Sequence, residues 1–186
     1  MAQNTISTDG TILRDARSRY RTEQREADGA HGAYESEIRR RGGTPRSDVT
    51  VSRAEAPADV AALLGIDGPA VVRSRLMYDG ERLVQLADTW IPVDVAEAAP
   101  AVEQVNTGAG GIKSRMSEAG FAQVDATEDV ELHTATEDQA AALGVAAGET
   151  LLAIKHVGTT AEGRVVEVTR HVLGPGWTLR YGVPLD

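Results

Sequence analysis

Arg73 and Arg75 are the residues of this 186-residue chain whose type and spacing point most directly to chemistry. They stand two apart in the alternating run AVVRSRLMYDG, so on a strand both guanidiniums project from one face. There they can converge on a phosphate or carboxylate through bidentate hydrogen bonds, or pair with acids on a solvated face. Glu167 is flanked by Val165, Val166 and Val168, which places its carboxylate at a strand edge or in the interior. A buried carboxylate must be paired, and Arg73 or Arg75 across a sheet would serve. His171 shares a strand face with Glu167 about 13 Å further on, too far for a direct pair but suited to flanking a ligand. His31, His133 and His156 show no spacing typical of a zinc site and read as satisfied structural histidines. Gly108-Ala109-Gly110-Gly111 lacks the Lys and Ser/Thr of a phosphate-binding loop, and no Ser, His and Asp stand in a nucleophile-elbow setting.

Composition narrows the classes of function. Apolar residues make up 41% and charged residues 25%, ordinary values for a globular chain. Cysteine is absent, which excludes thiolate metal sites and cysteine nucleophiles and fits a reducing cytoplasm. A formal charge of −9 opposes any broad neutralisation of DNA phosphates. No apolar run approaches the roughly 18 residues that span a bilayer, and the N-terminus has neither the basic nor the apolar region of a signal peptide. Lys113 and Lys155 are the only lysines against 17 arginines, a codon bias that points to a GC-rich, actinobacterial genome.

The elements that must position these side chains can be read from punctuation. Residues 1–11 are polar and expected to be mobile. From Ile12 to Arg41 the composition suits a helix, broken around Asp28-Gly29 and Gly32 and stopped by Gly42-Gly43. Beyond it a unit occurs twice. VTVSRAEAPADVAALLGI (49–66) and DVELHTATEDQAAALGV (129–145) each read as a strand and a short capped helix ending at Gly65 or Gly144. Each is followed by two apolar alternating runs around a turn, at Asp79-Gly80 and near Gly163. Between the copies GGIKSRMSEAGF (110–121) reads as a helix with Ile112, Met116 and Ala119 inward. Two strand–helix–hairpin repeats merging into one antiparallel sheet give an α+β domain.

The succession APADVAALLGI…AVVRSRLMYDGERLVQLADTWIP…GGIKSRMSEAGF…LGVAAGETLLAIKHVGTTAEGRVVEVTRHVL resembles the UTRA domain, the effector-binding half of GntR-type bacterial repressors of the HutC subfamily. The resemblance implies an N-terminal extension with a linker-like helix over residues 1–44 and a ligand-binding domain over 45–186, with a fold like that of chorismate lyase. Together with the strand faces it implies a ligand pocket lined by Arg73, Arg75, Gln85, Thr89, Gly111, Glu167 and His171. Ala87 stands where many members carry a glutamate, and Gly111 and Lys113 where sugar-phosphate binders carry Ser and Tyr, so a retuned pocket is expected. Only 11 residues precede Ile12, leaving no room for a winged helix-turn-helix, and a stand-alone protein without direct DNA binding is the expectation. The leading function is therefore a small-molecule, anion-binding effector domain, homodimeric and cytoplasmic, without cofactor or metal and without membrane contact. The alternative is a cofactor-free lyase, isomerase or cyclase on the same fold, using Glu167 or His171 as acid or base and the two arginines on an oxyanion.

Overall fold

The computed structural model describes residues 11–183 and 185. The rest of the polar stretch expected to be mobile, residues 1–10, lies outside the described residues. In chain order the elements are β1 (Ile12–Asp15), α1 (Thr22–Arg25), α2 (Ala33–Arg40), β2 (Pro45–Glu55), α3 (Ala58–Leu64), β3 (Pro69–Asp79), β4 (Arg82–Pro92), α4 (Val93–Ala98), α5 (Gly111–Glu118), β5 (Gln123–Thr134), α6 (Glu137–Leu143), β6 (Thr150–Thr160), β7 (Val165–Leu173) and β8 (Trp177–Arg180). None of the described helices is long and apolar enough to cross a membrane.

Both predicted repeats are present. β2-α3-β3-β4 and β5-α6-β6-β7 each form half of a six-stranded antiparallel sheet of order β2-β3-β4-β7-β6-β5. The halves meet at the β4–β7 pair, so the last strand of each repeat lies at the centre and the first at an edge. The short helices stop at Gly65 and Gly144, whose φ values of 66° and 67° are the left-handed conformation that the spacing predicts. Their starts differ. α6 begins with a reciprocal capping box between Thr136 and Gln139, whereas α3 begins at Pro57 without a side-chain cap.

The two faces of the sheet are unlike. One carries Val72, Trp90, Val157 and Val168 beneath α3, with Leu86 and Val172 beneath α6, and is sealed by apolar contact. The other carries Arg73, Arg75, Gln85, Thr89, His156, Thr169 and His171, and it faces α5 and the N-terminal segment. α5 packs Met116 against Val71, Ile91 and Val102, with Ile112 and Ala119 alongside, as its periodicity predicts.

The N-terminal segment departs from the expected helix. Ile12–Asp15 form a strand that pairs in parallel with β8, from the far end of the chain. Ile12 and Arg14 point inward, almost wholly buried, an alternation too short to outweigh the helical composition around it. Only 22–25 and 33–40 are α-helical, and the breaks at Asp28-Gly29 and Gly32 fall where the sequence places them. Ile12, Tyr34 and Ile38 join Met77 and Ala87 in a buried cluster, so this segment is packed onto the sheet.

Candidate ligand-binding site

Strand register assembles the polar face before any ligand is considered. One row across the sheet reads Val51, Arg73, Thr89, Thr169, His156, Glu128, and the next reads Val49, Arg75, Ala87, His171, Ile154. Above these rows lies a cavity of about 360 Å³, closed on its other sides by the start of α5, the 105–107 loop and the N-terminal segment.

Six of the seven residues assigned to the pocket from sequence line this cavity: Arg73, Arg75, Gln85, Gly111, Glu167 and His171. Thr89 does not. It is fully buried behind the wall, where its hydroxyl accepts from Arg75 and bonds to the Thr169 hydroxyl at 2.7 Å. Gly111 has a structural reason to lack a side chain. A Cβ there would lie 2.7 Å from the His31 carbonyl oxygen, and its φ is 69°. Ala87, between Arg75 and His171 in the row, places no carboxylate beside either.

The arginines occupy different settings. Arg73 is buried and donates to the backbone carbonyls of Val102 at 2.5 Å, Gln104 at 2.6 Å and Val105 at 3.3 Å. Burial, then the charge of Arg75, lowers its guanidinium to about 10. Arg75 donates to Thr89, and its Nε is buried without a partner. Burial pulls its pKa down as well. Neither has a carboxylate within ion-pair distance among the described residues, although a buried unpaired charge is costly.

Glu167 is not held by either arginine, contrary to the sequence expectation. Lys113 donates to Oε2 at 2.7 Å, Gln123 donates to the same oxygen at 2.7 Å, and Thr169 donates to Oε1 at 2.8 Å. The reason is geometric: Arg73 and Arg75 are two strands away from Glu167, and the Thr89–Thr169 hydroxyl pair fills the gap between Arg75 and the carboxylate. Burial alone would raise the Glu167 carboxyl. The Lys113 charge, with hydrogen bonds from Lys113 and Gln123, holds it well below the usual carboxylate range. Burial drives His171 well below its ordinary value, with Arg14 and Arg75 adding to it, so the ring is neutral. Its Nδ1 lies 3.0 Å from Gln85 Nε2, which also lies 2.9 Å from Met77 Sδ.

Sequence reasoning passed over several groups of the cavity wall. Lys113, expected from sequence only as a retuned pocket position, is the cation that pairs with Glu167. His156 was set aside as structural, yet its Nε2 lies 3.0 Å from Lys113 Nζ. Arg19, Tyr20 and Arg25 come from the N-terminal segment, whose thin apolar content leaves open whether it docks or remains a linker. Arg25 donates to the Gly110 carbonyl and to Ser114 Oγ, both at 2.9 Å, and so ties the segment to α5. Among the described residues no group of three His, Asp or Glu side chains is placed to hold a metal ion.

This architecture is that of known regulators. A GntR-family transcriptional regulator superposes with a TM-score of 0.78 at 21% identity, over 94% of this chain and 69% of that one. PhnF from Mycobacterium smegmatis gives 0.75 at 17% identity, over 95% and 73%. The ligand-binding domain of a GntR-family regulator from Bordetella bronchiseptica gives 0.62 at 22%, over 77% and 90%. At these identities the likeness is one of fold. No curated protein matches the sequence. The sequence signature of the UTRA domain matches residues 40–174, which include both repeats, the intervening α5 and most of the cavity wall. The chain belongs to the UTRA domain family.

Proposed function

We propose that the cavity binds a small anionic effector and that the chain works as the ligand-sensing part of a transcriptional regulator. The observation that carries this reading is Arg73 and Arg75: a buried and a half-buried guanidinium at one cavity, with no carboxylate partner among the described residues. A site built for an anion leaves its cations unpaired until the anion arrives, and a carboxylate or phosphate would take up the free donors of Arg75. Gln85, Gly111, Glu167 and His171 are then the rest of the ligand-facing wall, while Thr89 acts on the ligand only through Arg75 and Thr169. The domain division proposed is 45–186 for ligand binding, with the segment before it supplying a further wall. The GntR-regulator effector domains that share the fold support a regulatory role, and a HutC-type branch and a cytoplasmic setting accord with it.

The enzyme alternative finds no support in the geometry. Glu167 is engaged by three donors as a fixed carboxylate, and neutral His171 is engaged by Gln85, so neither is poised as acid or base. A homodimer accords with the two long edge strands, β2 and β5, of which β5 exposes Val124, Val130 and Leu132. No specific DNA affinity is expected of an acidic chain.

The test is a panel of small anions, inorganic phosphate, citrate and short carboxylates, screened by thermal shift and titration calorimetry against wild type and Arg75→Ala. Stabilisation by at least one anion that Arg75→Ala abolishes is the expected result. A panel that leaves wild type and variant equally unmoved overturns the anion reading.

A further inference from the structure

Lys113 is more than the counter-ion of Glu167. Lys113 lines the cavity, and its Nζ, which also donates to Gln123 Oε1, lies 3.0 Å from His156 Nε2; His156 Nδ1 has no hydrogen-bond partner among the described residues and lies 3.6 Å from Glu128 Oε1. Amine and imidazole are thus in contact, as a nucleophile and its base are, with the Glu128 carboxylate at ion-pair distance from the imidazole. Tyr20 stacks on the His156 ring at a centroid distance of 4.8 Å and fixes its plane. The imidazole is 1% exposed, and burial with the nearby Lys113 ammonium keeps it neutral, so Nε2 is an acceptor facing the amine. Burial also draws the Lys113 ammonium below its ordinary value against the pull of Glu167. A counter-ion needs no base beside it. A nucleophilic lysine does.

From this geometry we propose that Lys113 forms a reversible imine with a carbonyl-bearing anion, its carboxylate held by Arg75 and its aldehyde or ketone placed at Nζ. The step balances without oxidant or reductant. The ammonium passes a proton to His156, and the amine nitrogen attacks the carbonyl carbon. The carbonyl π pair moves to oxygen, which takes a proton from the attacking nitrogen. The carbinolamine oxygen then leaves as water, taking the proton back through His156, and a protonated imine remains. Ammonium and carbonyl therefore give iminium and water, with the positive charge still beside Glu167. His156 handles the proton, Glu128 stands at ion-pair distance from its imidazole, and Glu167 is the constant counter-ion. This deepens the anion-binding reading and rests on it for the arginine half of the site.

Glyoxylate is the probe, because it joins an aldehyde to a carboxylate in the smallest possible frame. The full chain is incubated with glyoxylate and cyanoborohydride, digested, and its carboxymethylated lysines counted by mass spectrometry. The chain's two lysines make the result clear-cut. Lys113 is expected to label about tenfold or more faster than Lys155, and His156→Gln to slow that labelling about tenfold or more. Glycolate, which has the carboxylate but no carbonyl, should protect Lys113 by competition. In Lys113→Arg the label should vanish without moving elsewhere; should that variant not fold, the His156→Gln rates and the glycolate protection still decide. Equal labelling of Lys113 and Lys155, or wild-type labelling in His156→Gln, overturns the proposal. An unlabelled Lys113 in a protein that glycolate stabilises overturns the imine alone. A labelled Lys113 that glycolate does not protect sinks the arginine-held anion instead.

Discussion

The two repeats build half-sheets of the same element order and then furnish them with opposite chemistry. The first, β2-α3-β3-β4, contributes Arg73, Arg75, Gln85 and Thr89, two cations and two neutral polar groups, and contains no histidine. The second, β5-α6-β6-β7, contributes Glu128, His156, Glu167, Thr169 and His171. The cationic half is satisfied by backbone carbonyls and a hydroxyl, leaving a buried donor free. The acidic half is neutralised from outside the repeats, by Lys113 of α5 and Arg14 of β1. An element duplicated for its backbone can therefore divide its labour by side chain, one copy awaiting a ligand and the other already paired in charge.

That contrast breaks most sharply at Glu167 and Arg75. Glu167→Gln strands the Lys113 ammonium, which is largely buried, and should destabilise the ligand-free protein by about 3 kcal/mol. Arg75→Ala removes a cation that lacks an ion pair and should change ligand-free stability by less than about 1 kcal/mol, or raise it. Urea unfolding of both variants measures this. Equal losses would mean that Arg75, too, is already paired in charge.

For a bound anion the ranking reverses. Arg75→Ala should weaken binding by about 2 kcal/mol, roughly thirtyfold, because a charge-assisted fork is lost. Arg75→Lys should recover only part of this, since the ammonium lacks the planar pair of donors. Calorimetric titration with the best anion of the panel would show it; full recovery by lysine would reduce the site to a point charge.

Acid sharpens the comparison again. His156 and His171 have folded-state values below the ordinary 6.5, so as pH falls past that value the unfolded chain takes up protons that the folded chain refuses. Stability present above about pH 6.5 is therefore lost below it, with a slope of up to about 1.4 kcal/mol per pH unit for each histidine. Glu167 extends the loss below the ordinary carboxylate value, because its native state resists protonation. Each of these groups belongs to the second repeat. His171→Gln should flatten the decline between pH 7 and 5 in a series of unfolding curves, and an unchanged slope would assign it elsewhere.

The smallest effect lies at the helix starts. Thr136→Ala removes the capping box of α6 and should cost about 1 kcal/mol. Pro57→Ala at α3, which has no side-chain cap to lose, should cost less than half of that. Thermal unfolding of the pair distinguishes them.

The residues themselves determined the duplication, the glycine stops, the hairpin turns and the alternation that puts Arg73 beside Arg75 and Glu167 beside Thr169 and His171. These follow from backbone conformations and a two-residue period, which act over a few neighbours. Tertiary structure alone decided who neutralises whom. Lys113 reaches Glu167 from a helix 54 positions earlier in the chain, and Arg14 reaches Glu128 from a strand formed only because β8 lies alongside it. A strand pattern states which face a charge occupies, but not which distant element will cover that face. For Glu167 the answer was set by where α5 packs Met116 against the core, since that packing delivers Lys113 to the carboxylate and leaves Arg75 facing the cavity.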